Sequence, residues 1–282
     1  MLDNNNKQSN IQTDDNVLLC QECLLKLLKY FHSLCVKYNI KYTLEAGTLL
    51  GAARDKGFIS WDDDADVSLV RTEYDKLLEV LRNENHPEDI GVYFPEAKKE
   101  FYDFTVRIYY KGKKVRTDEA TSSHYEALYS YATLDIFVMD NITKSNIKQK
   151  IYIILQKFCY GLAMSKRHRI TIKKYSLFEK LAISVFATIG KLFSLKSICQ
   201  LHEKFSKLYK NINTGLLYCT TWSPEFSAYT FDSSQYDKVH LTQFENTELY
   251  IIDAYEEVLT YDYGDWRVPV KTHDHNNTVG DI

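Results

Sequence analysis

Proline and glycine are scarce in this chain, with four and ten among 282 residues. That scarcity argues against long disordered stretches and low-complexity linkers. No run of about 18 consecutive apolar residues occurs, which excludes a single membrane-spanning helix. The opening segment, MLDNNNKQSNIQTDDN, is polar and is not expected to act as a signal peptide. The six cysteines are scattered. Cys20-Gln-Glu-Cys23 is half of a zinc site, but no second pair stands at ligand spacing. Reduced thiols in a cytoplasmic protein are the expectation.

Hydrophobic residues make up 45% of the chain, ample for a core, and the length suits one large domain or two small ones. Tyrosine is abundant at 22 residues. It packs like an apolar residue while keeping a polar tip, which suits a sugar or a cationic head group as well as a half-wet core. The net charge of −3 hides an asymmetry. Residues 144–210 hold 15 Lys/Arg against Glu179 and Glu203, a balance of +13. This block is expected to face a polyanion or, peripherally, an anionic membrane. Nucleic acid is not expected, because no binding motif accompanies the charge.

The pattern divides the chain into a loose tail (1–15), a core (16–143), a basic helical subdomain (144–210) and a mixed C-terminal segment (211–282). Helical spacing runs from Val17 to Tyr38, with Asp14 and Asp15 as caps. Residues 40–45 and 65–70 read as strands, 48–54 as a helix starting at Gly47-Thr48, and 72–85 as a helix capped by Thr72. From 90 to 140 the pattern is mostly β, with a turn at Lys111-Gly112-Lys113 and a buried strand at 134–139. Residues 145–209 read as helical.

The chemistry concentrates in EAGTLLGAARDKGFISWDDDADVSL, residues 45–69. On an extended segment Asp62, Asp64 and Asp66 share one side. Three like charges on one face are accepted when a hard cation neutralises them, and Mg²⁺ takes carboxylate and phosphate oxygens together. A bare acidic run is more often a solvated turn. Here the flanks favour a site. Gly47 and Thr48 offer N–H groups at a helix start. Arg54 and Lys56 add positive charge for a phosphate, and Trp61 offers a stacking face. Asp135 lies within the LDIF strand, where an acid needs a partner or a metal. Arg107 is a second candidate for phosphate. Tyr42, Trp61, Tyr102, Trp222 and Trp266 are candidates for an aromatic cage, since a quaternary ammonium donates no hydrogen bond. His273 and His275 sit in a polar C-terminal stretch and read as solvated.

GTLLGAARDKGFISWDDDAD (47–66), LDIF (134–137) and YGDW (263–266) together resemble the LicD family. Its members are choline-phosphotransferases that decorate bacterial teichoic acids and lipopolysaccharide; fukutin and fukutin-related protein are distant relatives. Ser60 departs from the family's proline and Ala65 from its larger aliphatic residue. The resemblance implies an α/β (α+β) nucleotidyltransferase-type mixed sheet flanked by helices, with the basic block as an insertion. It implies Mg²⁺, or Mn²⁺, on Asp64, Asp66 and Asp135, with Asp62 as a further ligand. It implies a CDP-linked donor, a glycan or lipid-linked glycan acceptor, CMP as leaving group, and a place in the cytoplasm or at the inner face of the cell membrane. Two other readings remain open at this point: nucleotide transfer from an NTP with pyrophosphate release, and a non-catalytic nucleotide- or glycan-binding protein.

Overall fold

A computed structural model describes residues 4–116, 128, 130–167, 176–222 and 229–269. A curled mixed sheet is its centre. Strands β1 (Thr43–Leu44), β2 (Ala65–Val70), β5 (Tyr131–Asn141), β4 (Val106–Lys114) and β3 (Ile90–Tyr93) lie side by side in that order. β2 and β5 run parallel; the other neighbours are antiparallel. The far end of β5 pairs with β6 (Leu216–Cys219), which pairs with β7 (Phe231–Asp232). A separate hairpin, β8 (Val239–Phe244) and β9 (Thr247–Ile252), hangs on β1 through Ile252 N–H donating to Thr43 Oγ1 at 3.0 Å.

Strand periodicity sorts the two faces of this sheet. Ala65, Val67 and Leu69 of β2 and Ala132, Leu134, Ile136 and Val138 of β5 are buried in one core. Helix α1 (Asn4–Lys37) supplies the other half, with Cys20, Cys23, Leu24, Leu27, Leu28, Phe31, Leu34 and Cys35 at helical spacing. The intervening positions, Asp66, Ser68, Asp135 and Phe137, point to the opposite face. Full burial of each valine, leucine, isoleucine or phenylalanine among these contributes roughly 1.5–3 kcal/mol before chain entropy is counted.

Several boundaries differ from the sequence expectation. Residues 4–15, expected as a tail, are helical and continuous with α1, where no proline or glycine interrupts residues 4–37. Asp14 and Asp15 therefore lie within the helix and not at its N-terminus. The strand expected over 40–45 is only Thr43–Leu44, because Asn39, at φ 50°, turns the chain and Glu45 already caps the next helix. That helix, α2 (Ala46–Arg54), begins one residue before Gly47. α3 (Arg71–Asn83) starts before Thr72, so Thr72 is not its cap. β4 continues through Lys111-Gly112-Lys113, with a register shift between Tyr109 and Lys114 instead of a turn.

Helices α4 (Asn146–Ala163), α5 (Leu177–Gly190) and α6 (Leu195–Ser206) follow the sheet. Cys159, Leu162, Ala163, Leu195, Ile198 and Cys199 form a second core with Phe101 and Phe104. His202 of α6 stacks on Phe104 at 3.7 Å and reaches Thr220 O at 3.1 Å; burial drops its pKa to about 3, so it stays neutral. Helix α7 (Tyr255–Tyr263) is the last helix among the described residues and ends at Gly264, at φ 65°.

Candidate active site

The register of three strands builds the site. Asp66 on β2 stands beside Asp135 on β5, and Asp135 stands beside Arg107 on β4. Registered neighbours share a face, so the three side chains form a row on the side of the sheet away from α1. Arg107 is 5% exposed. Its Nε and Nη2 donate to the two oxygens of Asp135 at 2.8 and 2.7 Å. Its Nη1 and Nη2 also donate to Asp103 at 2.7 and 2.6 Å. One cation is thus divided between two carboxylates. Burial raises the Asp135 pKa, and Arg107 only partly opposes it.

The acidic loop closes on this row from one side. Burial pushes Asp66 well above the usual carboxylate range, and the charges of Asp64, Asp135, Asp62 and Glu45 add to the shift. Asp62 is pushed up to about 8, first by burial and then by Asp64, with which it shares a hydrogen bond. Asp63 turns away and pairs with Arg116 at 3.0 Å. Asp64 is exposed. The loop is pinned to α1, where Gln21 Nε2 donates to Ile59 O at 2.9 Å and Asp62 O at 2.8 Å. Thr48 Oγ1 accepts the Asp66 N–H at 2.9 Å, so α2 and β2 are joined at the site. Gly47 is required for close approach: a Cβ there would lie 2.7 Å from Asp62 Oδ2. Gly51 lets α2 pass the returning loop, since a Cβ would meet Gly57 O at 2.4 Å.

A cavity of about 460 Å³ opens over the row. Glu45, Asp66, Asp103, Asp135 and Asp262 supply its acids, and Arg107 and Arg167 its cations. Tyr102, Phe137, Tyr160, Trp222, Tyr229 and Tyr263 supply an aromatic wall. Ala46 lines it at φ 48°, a left-handed conformation held at the start of α2. Burial lifts Glu45 to about 7, against the hydroxyl of Ser68 that donates to it. Burial lifts Asp262 to about 6. A wider hollow of about 720 Å³, lined by Tyr74, Arg82, His202 and Glu203 among others, lies between α3 and α6 and contains none of the acidic row.

The structure gathers some of the expected residues and disperses others. Asp66 and Asp135 line the cavity, and Asp62 and Asp64 lie close enough to shift Asp66. Arg54 does not reach the row; it forks onto its neighbour Asp55 at 2.9 and 2.8 Å and onto Trp266 O at 3.4 Å. Lys56 is exposed at the end of α2, with Nζ on Ala53 O. Gly47 and Thr48 support the loop, Trp61 packs against the main core, and none of the three lines the cavity. Tyr42 is core, bonded to His32 and packed on Phe31, and Trp266 is buried beside Tyr255. Only Tyr102 and Trp222 of the aromatic candidates face the cavity. Sequence reasoning missed Tyr160, Arg167, Tyr229 and Asp262, which reach the site from remote segments. Cys20 and Cys23 are buried free thiols, Cys20 raised to about 12 by burial. Among the described residues, no three acidic, histidine or cysteine side chains converge tightly enough to hold an ion in their present rotamers. His273 and His275 lie outside the described residues.

Residues 39–173 match the family model described as LicD/FKTN/FKRP, nucleotidyltransferase domain. The lipopolysaccharide cholinephosphotransferase LicD of Haemophilus influenzae is 30% identical over 261 residues, covering 86% of this chain and 88% of that one. Two uncharacterized proteins, from Rickettsia prowazekii and Rickettsia typhi, are 45% and 43% identical over 58 residues, about a fifth of each chain.

Proposed function

Because this chain belongs to the LicD family and is a phosphotransferase, we propose that it moves phosphocholine from a CDP-linked donor to a hydroxyl of a glycan, with CMP leaving. The observation that carries this reading is the cavity: an acidic row and two arginines on one side, six aromatic rings around it. A diphosphate with a quaternary ammonium tail asks for that combination.

The chemistry of the acids suits a divalent cation once side-chain rotation gathers them, since they do not converge in their present rotamers. The donor set is all carboxylate, the ligand type that Mg²⁺ and Mn²⁺ prefer. Burial raises Asp62 and Asp66, and the neighbouring carboxylates add to it, so a cation among them would offset that repulsion. Asp135 accepts Arg107 on both oxygens, yet each carboxylate oxygen keeps a second lone pair. Asp62, Asp64, Asp66 and Asp135 would hold the ion, and the ion would neutralise the donor diphosphate and the departing CMP.

The chain's own groups do the rest. Arg107 fixes the orientation of Asp135 through its two bonds. Arg167, bonded to Tyr102 O at 2.9 Å, sets positive charge at the cavity wall for a phosphate oxygen. Tyr102, Tyr160, Trp222, Tyr229 and Tyr263 shelter the trimethylammonium group and exclude water. The acceptor hydroxyl attacks the phosphorus that bears choline, and the bond from that phosphorus to CMP breaks. Asp262, near pKa 6, takes the hydroxyl proton.

The test is a panel of CDP-choline, CDP-ethanolamine, CDP-glycerol and CDP-ribitol with Mg²⁺, scored for CMP. CMP from CDP-choline in preference to the uncharged alcohols supports the reading. Pyrophosphate from an NTP, with no CMP from any donor, would transfer the site to nucleotide transfer.

A further inference from the structure

Helices α4 and α5 invert the usual arrangement by exposing apolar residues at helical spacing. On α4, Ile147, Ile151 and Ile154 are exposed, Ile147 by 74%. On α5, Leu181, Val185 and Ile189 repeat every fourth residue on the exposed side, and Leu192, 82% exposed, continues beyond its end. The two helices are one unit: Phe158 and Phe186 meet at 5.5 Å, and a Cβ on Gly190 would lie 2.1 Å from Leu162 O. Among the described residues no protein element covers these stripes, and contiguous exposed apolar surface of this kind marks an interaction face.

Charge decides the occupant. Lys148, Lys150 and Lys157 are exposed on α4, with Lys191 and Lys196 just past α5. The whole block carries +13. A second copy of the same face would bring two such blocks together, which like-charge repulsion opposes. An apolar face flanked by lysines is the complement of an anionic lipid interface. No single helix among the described residues is long and apolar enough to cross a bilayer; α5 has 14 residues, roughly 21 Å, against a hydrocarbon core of about 30 Å. The segments Lys180–Gly190 and Leu195–Tyr209 would be long enough together, but they are bent by 116°. The apolar face of α6 is moreover consumed by the second core.

We propose that the α4–α5 face docks on the surface of an anionic bilayer, its isoleucines and leucines at the acyl boundary and its lysines among the head groups. This goes beyond the proposed reaction and does not depend on it. The same helix α4 carries Tyr160 at the cavity on its other side. A docked enzyme would therefore hold its site within reach of an acceptor anchored in lipid.

The experiment is co-sedimentation of the full chain with vesicles of phosphatidylcholine alone and of phosphatidylcholine with phosphatidylglycerol. Binding to the anionic vesicles, weakened by salt, is expected. Ile151→Glu with Val185→Glu should lower it on the order of tenfold. Lys148→Glu with Lys150→Glu should abolish the preference for anionic lipid. Ile147→Ser with Ile151→Ser is a milder variant should the glutamates unfold the helices. CMP release from CDP-choline without lipid should be unchanged in all of them, which separates this proposal from the reaction. Equal binding to both vesicles, no binding, or binding indifferent to these changes would overturn it. A dimer that Ile151→Glu dissociates would instead assign the face to a second copy.

Discussion

Asp135 and Asp103 share Arg107, and this sharing sets how rigidly the acidic row is held. A lysine keeps the charge but cannot fork onto two carboxylates. Arg107→Lys should lower kcat by roughly 10–100-fold and also lower the melting temperature, since the buried fork onto two carboxylates is lost; a wild-type kcat would remove Arg107 from the positioning of Asp135. Trp222 makes a different claim. Its ring should matter only to a cationic head group, so Trp222→Ala should raise KM for CDP-choline by about fivefold and leave CDP-glycerol unaffected. Equal loss for both donors would make the residue merely a wall. At this scale the sequence was partly legible. Asp66 and Asp135 could be singled out because an acid in an apolar strand needs a reason. The pairing of Arg54 was not legible, because nothing in the loop reveals that Asp55, next in sequence, takes its guanidinium. Asp262 and Arg167 carry no local signal at all; only the folded chain brings them to the cavity.

The elements are joined at one buried ion pair that sequence patterning could not show. Arg71, at the start of α3, donates to Asp140 of β5 at 2.6 and 2.7 Å, and Thr220 donates to the same carboxylate at 2.6 Å. Arg71 also reaches Glu203 of α6 at 2.8 Å. The pair links α3, β5, the end of β6 and α6, so it fixes the helical block to the sheet. Asp140→Asn leaves the guanidinium buried without its charge partner and should destabilise the fold by about 3–5 kcal/mol in denaturant unfolding. A change below about 1 kcal/mol would show that α6 docks without it. The helices and strands themselves were legible wherever apolar periodicity was strong, as in α1, β2 and β5. Their ends were not, because Glu45, Val70 and Asn39 terminate elements through backbone geometry that composition does not encode.

For the molecule as a whole, the uncompensated acids make stability depend on pH and on cations. Asp62, Glu45 and Asp262 are held at about 8, about 7 and about 6, against roughly 4 in an unfolded chain. A carboxyl whose folded pKa is raised favours the folded state when protonated. Its contribution is full below about pH 4 and is lost as pH rises through the folded values. The melting temperature without divalent cation should therefore fall between pH 5 and pH 8.5, and Mg²⁺ should restore it more at the upper end. A rise over that range, or an equal Mg²⁺ effect at both ends, would contradict a cation site among these acids. The central claim is that the acidic row and the aromatic cavity together transfer phosphocholine. Its most direct measurement is ³¹P NMR of CDP-choline with Mg²⁺ and a lipopolysaccharide acceptor, comparing the natural chain with Asp66→Asn. The account predicts CMP and a new phosphodiester from the natural chain, and at least a hundredfold less from the variant at equal fold stability. Unaltered turnover in Asp66→Asn, or CDP-choline left intact by the natural chain, would contradict it.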